Sequence, residues 1–164
     1  MKFKNVLLVL AAVLVAIQFI QIDKTNPPYN AEGDFMQMEQ PPQNVAHILK
    51  GACYDCHSNE TKYPWYTSVA PLSWWIKKHI NEGRKHLNFS TWADLSEKKK
   101  QHKMKEAIEE VEKGEMPLGS YTLMHPEAKL NNSDKALVLD WLKGKYGGNE
   151  GHEAEGEHGE GKHD

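Results

Sequence analysis

Apolar residues run almost unbroken from Val6 to Ile22, VLLVLAAVLVAIQFIQI, behind the basic lead MKFKN. The run exceeds a usual secretory h-region and approaches the roughly 20 residues that cross a bilayer as a helix. No A-x-A cleavage pattern follows it, so residues 1–22 are expected to form an uncleaved, single-pass membrane-anchor helix. A cleaved secretory signal is the alternative, because Gln18 and Gln21 interrupt the span. Lys2 and Lys4 mark the cytoplasmic side, so the remaining chain is expected outside the cell membrane, in the periplasm or exterior.

Beyond the run, the pattern turns helical in blocks. Residues 23–43 contain two Pro-Pro pairs and little periodicity, which predicts an extended spacer. The segment 44–52 predicts a short helix capped by Asn44, with Val45, Ile48 and Leu49 on one face. A helix from Pro71 to about His86 would align Leu72, Trp75, Ile76, His79 and Ile80. The next runs from a Ser96 cap to a Gly114 stop, with Met104, Ala107, Ile108 and Val111 as its buried stripe. The last spans Ser133 to about Tyr146, with Leu137, Val138, Trp141 and Leu142 apolar and Gly147 ending it. Residues 115–131 read as loop. No stretch alternates apolar and polar residues as a strand would, so the fold is expected to be all-α. Residues 44–146 form the domain, and the acidic 147–164 tail, rich in His and Gly, lacks any large apolar residue to order it.

Charge narrows the partners. The net charge is −3, and residues 147–164, with six acids and one lysine, more than account for it. Residues 24–146 hold 17 bases and 16 acids, so no basic stripe points to nucleic acid.

Chemistry concentrates in one pentapeptide. Residues 53–57 read CYDCH and contain both cysteines of the chain. A structural zinc site wants four ligands, commonly two spaced pairs, and there is no second cysteine pair. A thioredoxin-like C-x-x-C needs a βαβ setting that the pattern does not offer. Covalent haem attachment uses every residue: Cys53 and Cys56 each form a thioether to a vinyl group, and His57 reaches iron as proximal ligand. One haem c is therefore expected, loaded by c-type haem maturation machinery.

The stretches CYDCHSNETKYPWY, HINEGRKHLNFSTW and GEMPLGSYTLMHPEAKL resemble the small haem-binding domain family of monohaem, cytochrome c-like proteins, over about residues 35–146. The resemblance implies a helical domain wrapped around one covalent haem. The Met-Pro loop followed by LNNSDKALVLDWL is also similar to the close of a class I cytochrome c, where a methionine supplies the sixth ligand. That likeness further suggests a proline carbonyl as partner to the proximal histidine, from Pro71 or the competing Pro64.

Several residues are candidates for the sixth position. Met116 follows a helix stop and precedes proline, in a loop able to approach the haem; Met124, His125 and His79 are alternatives, as is an open position. His47 lies too near the attachment helix, Met104 belongs to a core stripe, and His86 and His102 sit on basic helix faces. Arg84 is the sole arginine in a lysine-rich chain, and its fork would suit a haem propionate. Asn88, Ser90 and Trp92 could add donors, while Tyr63, Trp65 and Tyr66 could wall the haem. The expected function is one-electron transfer with redox proteins, not catalysis. Alternatives are a haem sensor or peroxidase-like protein with an exchangeable sixth ligand, and a dithiol oxidoreductase.

Overall fold

The computed structural model describes residues 3–148, and these contain eight α-helices, four short 3-10 turns and no strand. The helices are α1 Phe3–Ile17, α2 Phe35–Glu39, α3 Gln43–Ala52, α4 Tyr54–His57, α5 Leu72–His86, α6 Glu97–Lys113, α7 Gly119–Met124 and α8 Asn132–Tyr146. The tail from residue 149 lies outside the described residues, as does Lys2.

The all-α expectation holds, but the membrane anchor does not. Among the described residues no helix is long and apolar enough to cross a membrane. α1 has 15 residues, about 22 Å at the α-helical rise, against a hydrocarbon core of about 30 Å. The two glutamines that break the apolar run explain where it stops. Gln18 exchanges two hydrogen bonds with the Ala70 backbone, Nε2 donating to its carbonyl at 2.9 Å and Oε1 accepting from its N–H at 3.0 Å. Gln21 Nε2 donates to the Ser68 carbonyl at 3.2 Å, and Trp74 Nε1 donates to the Ile20 carbonyl at 2.9 Å. α1 is thus tied into the domain through its C-terminal end. The single-pass anchor, and the placement in the membrane that rested on it, are overturned.

The 23–43 stretch also differs from a plain spacer. Asp34 caps α2, accepting from the Met36 N–H at 2.8 Å, and the next residue, Phe35, is 0 % exposed. Its ring meets Phe89 at 4.9 Å and Trp92 at 5.0 Å, the latter edge-on. The Pro-Pro pairs limit this segment without emptying it of structure.

The predicted stripes supply the rest of the core. Met104, Ile108 and Val111 of α6 and Val138 and Leu142 of α8 are buried, and α8 packs on both α6 and α3. Gly114 ends α6 in the left-handed region, φ 77°, where a β-carbon would be strained. α5 buries less than its periodicity suggests: Ile80 is 3 % exposed but Trp75 is 44 % exposed, its ring tilted by 45° at 4.0 Å from that of His79. The segment 115–131 is more regular than expected, holding α7 and the 3-10 turn Pro126–Ala128.

Candidate haem site

α3 delivers CYDCH without an intervening loop. The Cys53 N–H still bonds to the Leu49 carbonyl at 2.9 Å, and α4 then makes one turn, closed by His57 N–H to the Cys53 carbonyl at 2.9 Å. α5 packs directly on this turn. The approach depends on Gly83, where an added β-carbon would lie 2.7 Å from the Cys56 carbonyl oxygen. Asp34 reinforces the other side: its Oδ1 accepts from the Tyr54 hydroxyl at 2.8 Å.

The His57 ring is oriented from the end of α5. Its Nδ1 lies 3.1 Å from the Leu87 carbonyl oxygen, which can only accept, so Nδ1 carries the proton and Nε2 keeps its lone pair. Burial lowers the His57 pKa, partly offset by the hydrogen bond to Leu87, so the ring is neutral and competent to ligate metal. Burial pushes the Cys53 thiol up to about 12 and the Cys56 thiol up to about 11, with Arg84 pulling the latter partly back.

Cys53, Cys56 and His57 share the wall of a cavity of about 530 Å³. Phe35, Leu49, Met104 and Leu142 give it an apolar lining, and Met116 and Leu118 border it from the loop after α6. A volume in the range of cofactor pockets, apolar walls, two thiols and a neutral imidazole together fit a haem. Lys103 also borders the cavity, its Nζ donating to the His86 carbonyl, so one cationic group suited to a propionate is present.

A family model described as "Haem-binding domain" matches residues 12–144. The chain belongs to the haem-binding domain family. The match begins inside α1, in keeping with the docking of that helix's end. No curated protein and no solved structure matches the chain significantly.

Within this haem-binding domain, the residues singled out from sequence separate into two groups. Cys53, Cys56, His57 and Met116 come together at the large cavity. Most of the others serve elsewhere. Pro71 stands at the start of α5, its carbonyl accepting from Trp74 and Trp75, while Leu87 at the opposite end supplies the partner of His57. Arg84 donates Nε to the Ser58 carbonyl at 2.7 Å and Nη2 to Asn26 Oδ1 and Thr61 Oγ1 at 2.8 Å each, so its fork grips neutral acceptors. Asn88 donates to Asn59 Oδ1 and caps the 3-10 turn at Ser90. Trp92 is 0 % exposed in the core and donates Nε1 to Glu39 at 2.6 Å. Tyr63 lies beneath the Lys77 ammonium, and Trp65 is 77 % exposed.

The other sixth-ligand candidates also find places. Met124 and His125 border a second, smaller cavity of about 80 Å³ behind Cys56. His79 borders both cavities, with Nδ1 2.9 Å from the Trp75 carbonyl oxygen. Phe35, Gly83 and the Leu87 carbonyl had no role in the sequence reading. Only the glycine carried a visible cue, standing one residue before the lone arginine.

Proposed function

We propose that this haem-binding domain carries one haem c and acts as a single-electron carrier between redox proteins. The observation that supports it is the placement of CYDCH on the wall of the large apolar cavity, with His57 neutral and oriented. Cys53 and Cys56 would hold the haem by adding S–H across its two vinyl groups; the hydrogen goes to carbon and nothing leaves. His57 Nε2 would be the proximal ligand. When bound, the haem supplies a reversible ferric–ferrous couple.

Met116 is the proposed ligand opposite His57. It is half-buried at the same cavity, and its N–H bonds to the Glu110 carbonyl at 3.2 Å, tethering the loop to the end of α6. A thioether donor holds the potential above that of a bis-histidine site. With His57 and Met116 both supplied as ligands by the protein, the chain would transform no substrate. Thiol pKa values of about 11 and 12 oppose the dithiol reading, since exchange needs thiolates near neutral pH. Loading requires c-type maturation machinery.

Optical spectra of the oxidised and reduced protein, with and without carbon monoxide, test the carrier reading. It expects the weak far-red absorption of thioether-bound ferric haem and a reduced iron that resists carbon monoxide. Ready carbon monoxide binding would instead favour a sensor or peroxidase-like site with an exchangeable position.

A further inference from the structure

The loop that carries Met116 is held at two ends, and the second end is the haem-attachment turn itself. α7 begins two residues after Pro117, and Tyr121 on it donates its hydroxyl to Asp55 Oδ2 at 2.8 Å. Asp55 is the residue immediately before Cys56, within CYDCH. Its position is fixed from its own side, because Oδ1 accepts from the Lys62 N–H at 3.2 Å and its carbonyl accepts from Thr61 Oγ1 at 2.6 Å. Tyr121 is braced in turn. Its ring stacks on His125 at 4.5 Å, and His125 Nε2 meets the Tyr66 hydroxyl at 2.5 Å. Tyr121 borders both the large and the small cavity, so it stands in the wall between them. At the near end, the Glu115 and Met116 N–H groups both bond to the Glu110 carbonyl.

We propose that the Tyr121–Asp55 hydrogen bond is a latch that holds the Met116 loop over the large cavity, making Tyr121 a positioning residue for the distal ligand. The inference rests on the Met116 reading and extends it. One pentapeptide would then position both proposed ligands: His57 directly, and Met116 through Asp55 and Tyr121. The bond joins a phenol to a carboxylate, the charge-assisted kind whose loss is felt by more than a neutral pair. A tyrosine that served packing alone would keep its effect when the hydroxyl is removed, since the ring and its stacking remain.

The test uses the haem-loaded protein and the variant Tyr121→Phe, with two measurements. Amide hydrogen exchange over residues 116–124 should quicken about tenfold, as expected for a lost charge-assisted hydrogen bond. Affinity of the ferric iron for added imidazole should rise by a similar factor, because the competing loop ligand is held less firmly. Asp55→Ala should reproduce both changes, and Tyr121→Phe in that background should add nothing. Unchanged exchange at 116–124 overturns the latch, as do additive effects in the double variant. Faster exchange with unchanged imidazole affinity reduces the bond to a structural one and overturns the positioning role. The change in exchange caused by Tyr121→Phe reports the hydrogen bond, whereas the spectrum of Met116→Ala reports the ligand, so failure of the latch and failure of the ligand assignment are told apart.

Discussion

The His57 ring is oriented by groups far from it in sequence. The Leu87 carbonyl sets its tautomer, and Gly83 lets α5 come close enough for that carbonyl to reach. CYDCH was legible because its chemistry is local: two thiols and an imidazole at fixed spacing need no fold to be recognised. The partner carbonyl was not legible, since it depends on where α5 ends in space rather than on a count of residues from His57. Arg84 shows the same limit, because a guanidinium fork suits backbone and side-chain oxygens as well as it suits a propionate. At this scale the account predicts that Met116→Ala abolishes the far-red band, lowers the potential and opens the iron to exogenous ligands. His79→Ala and Met124→Ala should leave the band in place. An unchanged Met116→Ala spectrum would move the ligand elsewhere.

The segments that differed most from expectation are those with the least periodicity. α2 is five residues long, too short for a repeating apolar stripe, yet its first residue is fully buried. Phe35→Ala should therefore destabilise the domain by about 3–5 kcal/mol, as for other buried aromatics, measured by chemical denaturation. A loss under about 1 kcal/mol would mean that α2 is peripheral after all. α2 is also joined to the core through Glu39, which accepts from Trp92 Nε1 at 2.6 Å and pairs with Lys145 at 2.5 Å. Burial alone would raise the Glu39 pKa, but the hydrogen bonds from Lys145 and Trp92 outweigh it and the net shift is downward. A carboxylate depressed in the folded state stabilises it fully above the ordinary glutamate pKa of about 4.3, and that contribution fades as pH falls through the folded value. The stability gap between wild type and Glu39→Gln should thus be largest near neutral pH and shrink below about pH 4. A gap equal at pH 7 and pH 3 would contradict the assignment. α1 teaches the complementary lesson. Its apolar run suggested a span, but Gln18 and Gln21 end it and dock that end on the loop before α5.

Taken as a whole, the molecule's helical class followed from the absence of alternation and the presence of capped, periodic blocks. The stripes of α6 and α8 pointed to the core they build. What sequence could not supply is which faces meet, and the large cavity exists only because α3, α5, α6 and α8 converge around CYDCH with the Met116 loop at the rim. That convergence makes covalent attachment at Cys53 and Cys56 the claim on which the rest depends. Its most direct test is the intact mass of the denatured chain, purified after expression with a c-type maturation system. The account predicts a single species heavier than the polypeptide by one haem, reverting to extractable haem in Cys53→Ser/Cys56→Ser. A denatured wild-type chain at its bare polypeptide mass, with its haem removed by acid–acetone, would contradict it.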